Sequence, residues 1–409
     1  MAEPPFTAGP YGAAGTAAPL SPPPPPPPLA SPPFASGVAP NPAQAQPAGD
    51  APEASTYPTS LEGIVRHAFL RQYSDVHLGV GEEPRFRSRG DIVRSGWPVT
   101  DPLTFRDWMR EILDPAGFDR FQQQKDYDGS FAFDFVRVRA NLLDSLLGPA
   151  MVLRLIPQQV ATMAELELPS ALAEILSRPK GLILVTGPSG SGKSTTLAAL
   201  IDHINRSMKR HVITIEDPVE FLHQSGQSLI RQREVGLHTK ELQTALRACL
   251  REDPDVIMVG EIRDRETLDI ALQTSQTGQL VLGSLHTNSA VSTVERVVNM
   301  FPPQDQQSVR RSLAESLLAV VSQGLVKSLA GQRLGFFEIL INTEASREYI
   351  LKSELDPIEE IMARSGFAGM QTANQSLLRL VETGRVSPEE ALSHSQRPGE
   401  LSQALRGRF

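Results

Sequence analysis

Gly187-Pro188-Ser189-Gly190-Ser191-Gly192-Lys193-Ser194 fits the pattern G-x-x-x-x-G-K-[ST] at every fixed position. The apolar run Leu182-Ile183-Leu184-Val185 precedes it and reads as a buried strand, and Thr195-Thr196-Leu197-Ala198-Ala199-Leu200-Ile201 follows as a helix. A strand–loop–helix setting is what a phosphate-binding loop needs. Its glycines let backbone N–H groups turn inward around phosphate oxygens, and the helix N-terminus adds its positive end. In such a loop Lys193 reaches the β- and γ-phosphates and the Ser194 hydroxyl holds Mg²⁺. The expected ligands are therefore ATP and Mg²⁺, with Gly187 through Ser194 and the adjoining Thr195 as the binding set.

The rest of the composition narrows the class. A chain of 409 residues, 40% of them apolar, is long enough for two globular domains. Its formal net charge of -8 argues against an extended nucleic-acid surface, and nucleic acid is not an expected partner. One cysteine, Cys249, leaves no intrachain disulfide and no multi-cysteine zinc site, which fits a reducing cytoplasm. No apolar run approaches the roughly 20 residues that span a bilayer. The N-terminus lacks the basic region and apolar core of a signal peptide. Any membrane role is expected to be peripheral.

Residues 1–57 are dominated by Pro, Ala, Gly and Ser, with an unbroken run from Pro22 to Pro28. Such composition buries too little surface to offset ordering, so a disordered tail is expected, a tether or a docking segment for a proline-binding partner. A small α+β domain spans 58–160. It has helical spacing over Leu61–Leu70 and Leu103–Phe121, and strand alternation at Ser74–Leu78, Phe86–Ile92 and Phe131–Val138. Gly90-Asp91 and Asp128-Gly129 serve as turn signals. A linker covers 161–180. From 181 to 390 strands alternate with helices, as in a P-loop α/β domain. Expected strands are Leu182–Thr186, Val212–Glu216, Val256–Glu261 and Leu280–Leu285, and expected helices are Lys240–Arg251, Arg265–Thr274 and Gln304–Val326. Leu325–Val326 and Gly335–Ile341 are candidates for a terminal hairpin, and 391–409 reads as a tail.

Four further features carry chemistry. Asp255 to Glu261 is an apolar strand that delivers a carboxylate at its C-terminal end, where open α/β sheets place ligands. Downstream of a phosphate loop, Glu261 is a candidate to orient Mg²⁺ through its waters or to polarise the attacking water. Thr214 to Phe221 ends another strand with Glu216, Asp217 and Glu220 close together. Carboxylates so crowded repel one another, which makes sense where Mg²⁺ and water share the site. His286 follows the strand Leu280–Leu285 and is a candidate γ-phosphate sensor, though a lone histidine is usually structural. Arg247 and Arg251 share one helix face, either as a paired surface or as arginine fingers for a neighbouring subunit.

Taken together these stretches resemble the secretion ATPase superfamily, and within it the type IV pilus retraction ATPases of the PilT type. Ile215 to Phe221 resembles the family's aspartate box, and Arg247 to Asp264 its Walker B region. Thr277 to Thr287 resembles its histidine box, and Ser74 to Leu78 and Gly369 to Thr372 also match. The resemblance implies an α/β fold: a RecA-like P-loop ATPase domain preceded by a small α+β, PAS-like domain. It implies a homohexameric ring with nucleotide between subunits, in which Glu220 activates water, Glu261 supports Mg²⁺ and His286 contacts the γ-phosphate. Arg139, Arg154, Arg247 and Arg251 match arginines that reach nucleotide from the small domain or the adjacent subunit. The implied activity is ATP hydrolysis coupled to pilus retraction through an inner-membrane platform protein, in the cytoplasm at the inner face of that membrane. Related pilus ATPases are further candidate partners.

The chain also departs from the family. Gln279 stands where the histidine box usually has a histidine. Ala345-Ser346-Arg347-Glu348-Tyr349-Ile350 stands where the retraction signature reads Ala-Ile-Arg-Asn-Leu-Ile. Leu142 to Leu147 lacks the polar and arginine residues often found there. An accessory pilus ATPase, another type II/IV secretion-type ATPase and a nucleotide-gated scaffold are the alternative readings.

Overall fold

The computed structural model describes residues 57–88, 90–156 and 160–407. The proline-rich stretch up to residue 56, read as a disordered tail, lies outside the described residues.

The first sheet holds β1 (Asp75–Gly79), β2 (Arg85–Ser88), β3 (Asp91–Arg94), β4 (Asp126–Phe133), β5 (Val136–Ser145) and β6 (Gly148–Ile156). They run antiparallel in the order β3-β2-β1-β6-β5-β4. Helices Leu61–Leu70, Pro102–Ile112 and Pro115–Gln124 cover one face. Ile64, Val65, Phe105, Trp108 and Phe121 bury there against Val76, Phe86, Val138 and Leu153. Side chains alternate across a strand. With Val136, Val138, Ala140 and Leu142 in that core, Arg137 and Arg139 of β5 are therefore turned to the opposite face.

The second sheet has the order β13-β12-β7-β11-β10-β8-β9. Its strands are β7 (Gly181–Thr186), β8 (His211–Glu216), β9 (Leu229–Glu234), β10 (Val256–Val259), β11 (Leu280–Leu285), β12 (Leu317–Lys327) and β13 (Arg333–Ile341). All pairs are parallel except β12 with β13. Both faces are covered, which is why these strands read as unbroken apolar runs. Leu182, Leu184, Ile213 and Ile257 face Leu268, Ala271 and Leu313, whereas Ile183, Val185, Val212 and Met258 face Leu197, Leu200 and Ile204. This is the RecA-like arrangement behind a small α+β domain that the motifs imply. Cys249 lies buried in the first of these cores; burial, with the Glu252 charge behind it, pushes its thiol up to about 12.

Several expected boundaries move. The helix expected over Gln304–Val326 stops at Ser316, and Leu317 onward is β12, paired in parallel with β7. A short apolar run such as Leu317-Leu318-Ala319-Val320-Val321 does not declare its period until a neighbouring strand supplies the pairing. The hairpin expected near Leu325 is correspondingly long, with Ala319 opposite Ile341 and Lys327 opposite Arg333. Leu103–Phe121 divides into two helices at Asp114-Pro115, where the aspartate caps and the proline starts the second. Asp128-Gly129 lies within β4 rather than at a turn; the chain reverses at Asp134-Phe135. β9 was not among the expected strands. Residues 398–406, inside the stretch read as a tail, form a helix whose Leu401 and Leu405 bury against Val326 and Leu377.

Candidate active site

The loop 187–194 leaves β7 and enters helix Lys193–Ser207. Gly187 has φ +146, and a Cβ there would sit 2.3 Å from the Gln323 carbonyl oxygen and 2.5 Å from Ser191 Oγ. No side chain fits, so that position is a steric requirement. Gly192, in the left-handed region, starts the helix, and no side chain caps its first turn. The first-turn N–H groups and the positive end of the helix therefore serve an anion. From the adjacent β12, Gln323 Nε2 donates to the Ser191 carbonyl at 2.6 Å and braces the loop from behind.

A cleft of about 600 Å³ opens on the loop. Ser189, Gly190, Gly192, Lys193, Ser194 and Thr195 line it, with Glu216, Glu220, Glu261 and His286. Gly187, Pro188 and Ser191 lie outside its lining and shape the loop instead. Parallel strands carry each functional group to one edge: β8 ends in Glu216, β10 leads two residues later to Glu261, and His286 follows β11.

Lys193 is buried, and its ammonium donates to the Gly187 and Pro188 carbonyls at 2.9 and 3.1 Å. Burial lowers its pKa, with the Glu261 and Glu220 charges opposing. His286 bridges two groups, Nδ1 lying 3.4 Å from Lys193 Nζ and Nε2 2.8 Å from Glu261 Oε1. A proton on Nε2 satisfies both contacts, since the lysine can only donate and the carboxylate only accept. Glu261 also receives Arg263, with Nη2 3.0 Å from Oε2 and Nε 3.0 Å from Oε1. Burial alone would raise the Glu261 carboxyl; the hydrogen bonds and charges of Arg263 and His286 outweigh it and hold the group below its ordinary value. The turn that presents Glu261 is held by Gly260 N–H on the Ile215 carbonyl and Ser284 Oγ on the Gly260 carbonyl.

Glu216 is 7% exposed. Its Oε1 accepts from Thr214 Oγ1 at 2.7 Å and Gln232 Nε2 at 3.1 Å. Burial raises its pKa, and these hydrogen bonds offset the shift only in part. The sign follows. A carboxyl whose folded pKa lies above its ordinary value near 4.5 favours the fold below that pH, and the advantage is lost as pH rises through the folded value. Thermal melts of Glu216→Gln against the parent are therefore expected to diverge in favour of the variant as pH rises; parallel curves across that window would refute the burial argument. Glu220, by contrast, is exposed at the mouth of the cleft, and its carboxylate makes no hydrogen bond or ion pair among the described residues.

Of the four arginines, only Arg154 lines this cleft. Asp75, 2% exposed, anchors it through Nε at 2.8 Å, which accounts for the acid in the stretch Ser74 to Leu78. Arg139 pairs beside Arg154 across β5 and β6. The helix expected over Lys240–Arg251 ends at Cys249, so Arg247 lies on it, exposed and paired with Glu266, whereas Arg251 lies exposed beyond its end; the two do not share a helix face, and neither lines this cleft. Sequence reasoning assigned no role to Arg263, Thr214, Gln232, Glu234 or Gln323. Arg263 sits two residues past Glu261, and Thr214 two residues before Glu216 on the same strand, so both had a visible signal; Gln232, Glu234 and Gln323 act across neighbouring strands or loops that only the fold reveals.

For Mg²⁺ the fit is chemical. The groups at the cleft are hard oxygen donors, the Ser194 hydroxyl and the carboxylates of Glu216, Glu220 and Glu261. Among the described residues no cluster of three or more His, Cys, Asp or Glu could cage an ion. A magnesium ion held by one or two protein oxygens and completed by phosphates and water suits this set.

The family model for type II/IV secretion system protein matches residues 56–390. The chain belongs to that family. It is similar to the twitching motility protein of Neisseria gonorrhoeae, with 43% identity over 321 residues, 78% of this chain and 86% of the relative. It is also similar to the type IV pilus retraction ATPase PilT of Pseudomonas aeruginosa, with 41% identity over 80% of this chain and 95% of the relative. Among solved structures, the pilus retraction motor PilT with bound ADP superposes with a TM-score of 0.78 and 38% identity, covering 84% of this chain and 99% of that one. The resemblance read from the motifs is thus borne out, and the chain is an ATPase of this family that binds nucleotide. Among the described residues no helix is long and apolar enough to cross a membrane.

Proposed function

We propose that this ATPase drives retraction of a type IV pilus. It acts as a homohexamer in the cytoplasm, at the inner face of the inner membrane, and passes its motion to a platform protein there. The observation that carries the reading is the cleft itself, where Lys193, Glu261 and His286 form one hydrogen-bonded chain beside the free carboxylate of Glu220. In this reading the loop N–H groups, Thr195 and Lys193 hold the β- and γ-phosphates. Ser194 and Glu261, the latter partly through water, hold Mg²⁺, which supplies neutralising charge at the phosphate oxygens. Glu220 takes a proton from the attacking water, Glu216 supports the acid loop, and His286 contacts the γ-phosphate. Arg154 and Arg139 approach the nucleotide from the small domain. Arg247 and Arg251 do not line the chain's own cleft, and in this reading they serve a neighbouring subunit's nucleotide. Closure of the small domain on nucleotide, repeated around the ring, is the working stroke.

Steady-state ATPase assays of the full chain, with Glu220→Gln alongside and light scattering in parallel, test the motor. Turnover that depends on Glu220 and appears with a hexamer supports it; turnover unaffected by Glu220→Gln removes the assigned base. Direction is tested by placing Lys193→Ala at the native locus. Loss of twitching with abundant surface pili is expected, and unchanged twitching overturns retraction. The second reading, an accessory pilus ATPase working beside related ones, is favoured by helix Glu344–Lys352. There Glu348 is exposed and paired with Lys352 where the family segment has asparagine. Unchanged twitching in the Lys193→Ala strain, with turnover present in the parent protein, would point to that role.

A further inference from the structure

The small domain meets the ATPase domain at two sheet edges, β4 and β5 on one side and β9 on the other. Two hydrogen bonds that cross there end on one side chain, Glu234 at the end of β9. Ser130 Oγ of β4 donates to its Oε1 at 3.0 Å, and Arg137 Nη2 of β5 donates to its Oε2 at 2.7 Å. Arg137 Nη2 also reaches Ser130 Oγ at 2.8 Å, so the three side chains form a closed set. Glu234 is 3% exposed, and the Arg137 side chain is largely buried as well.

The same Oε2 has a second partner. It accepts from the backbone N–H of Val219 at 3.0 Å. Val219 directly precedes Glu220, and the Glu220 N–H leans on Glu216 Oε2 at 3.5 Å. Glu216 and Glu234 are register partners on β8 and β9. The loop that carries Glu220 is therefore slung between two carboxylates, and one of them is held by the small domain. A buried carboxylate that loses its guanidinium is left with an uncompensated charge, so Arg137 and Glu234 resist separation. Displacing Arg137 moves or unloads the atom on which Val219 hangs.

We infer that Glu234 and Arg137 are positioning residues that tie the orientation of the small domain to the placement of Glu220, making the cleft competent for hydrolysis in one interdomain arrangement. This rests on the reading of Glu220 as the group that activates water. Neither Glu234 nor Arg137 lines the cleft, so the coupling reaches Glu220 only through the loop they hold.

The test compares the full chain with Arg137→Ala, Arg137→Lys and Glu220→Gln, reading kcat, KM for ATP, melting temperature and amide hydrogen exchange. For Arg137→Ala a kcat loss of about ten- to a hundredfold is expected, the scale of a catalytic group displaced by about 1 Å. KM is expected to stay within about twofold, since the phosphate loop is untouched. Exchange should quicken in peptides spanning Val219 to Phe221 and stay unchanged over Gly187 to Ser194, and Arg137→Lys should recover part of kcat. If Arg137→Ala does not fold, the double variant Arg137→Met with Glu234→Gln decides. It removes the crossing charge pair, leaves no buried charge alone and keeps an acceptor for Val219. Wild-type kcat in a folded variant overturns the coupling while Glu220→Gln remains inactive. A kcat that falls only in step with melting temperature and nucleotide affinity also overturns it, as a structural role would. Wild-type turnover in Glu220→Gln overturns the underlying reading and the coupling together.

Discussion

Lys193→Ala is expected to lower ATP turnover by about 10²–10³-fold, the cost of removing one preorganised donor from a developing phosphate charge. The ammonium is held in a buried position by two loop carbonyls and abuts His286, so its charge is not dissipated in solvent. Burial has lowered its pKa, which means the fold holds this cation at some cost to itself. The alanine variant should therefore melt at or above the parent temperature while losing activity. That pairing separates a binding defect from unfolding. Calorimetric titration with ATP and a steady-state assay on the same sample measure both. Turnover at the parent level would remove Lys193 from the site.

Glu261→Gln is expected to fall nearly as far, and for a different reason. Three donor contacts converge on that carboxylate, two from Arg263 and one from His286. Glutamine keeps the shape but presents an amide N–H₂ to one of those donors, so either Arg263 or His286 is released. The negative charge that holds Arg263 between Glu261 and Asp217 is also gone. The expected outcome is a kcat reduced by about 10²-fold or more, with half-maximal turnover shifted to higher Mg²⁺ concentration. Assays across a magnesium series check it. A variant with parent kcat and parent magnesium dependence would show that Glu261 serves only to anchor Arg263.

The phosphate loop was legible because its requirement is local. Gly187 and Gly192 both take positive φ, which the spacing of glycines in the loop announces, although the Gln323 carbonyl that leaves Gly187 no room for a Cβ comes from distant β12. Glu261 and His286 were legible because an apolar run ending in a polar residue marks the edge of a parallel sheet. The long hairpin was only half visible. Leu317 to Val321 reads as the continuation of a helix until β7 lies beside it.

What the sequence determined by itself is the chemistry on offer. It sets a nucleotide loop, an acid at each of two strand ends, a histidine at a third, and two arginines four residues apart. Their order along the chain also implied the family and the sheet. What only the tertiary structure decided is which of these groups touch. Strand pairing and domain contact bring together residues far apart in sequence: Lys193 with His286, Arg154 with Asp75, Arg137 with Glu234. No local pattern encodes such contacts. Hydrogen-bond partners across a sheet are set by register, and register by the burial of every other residue along both strands.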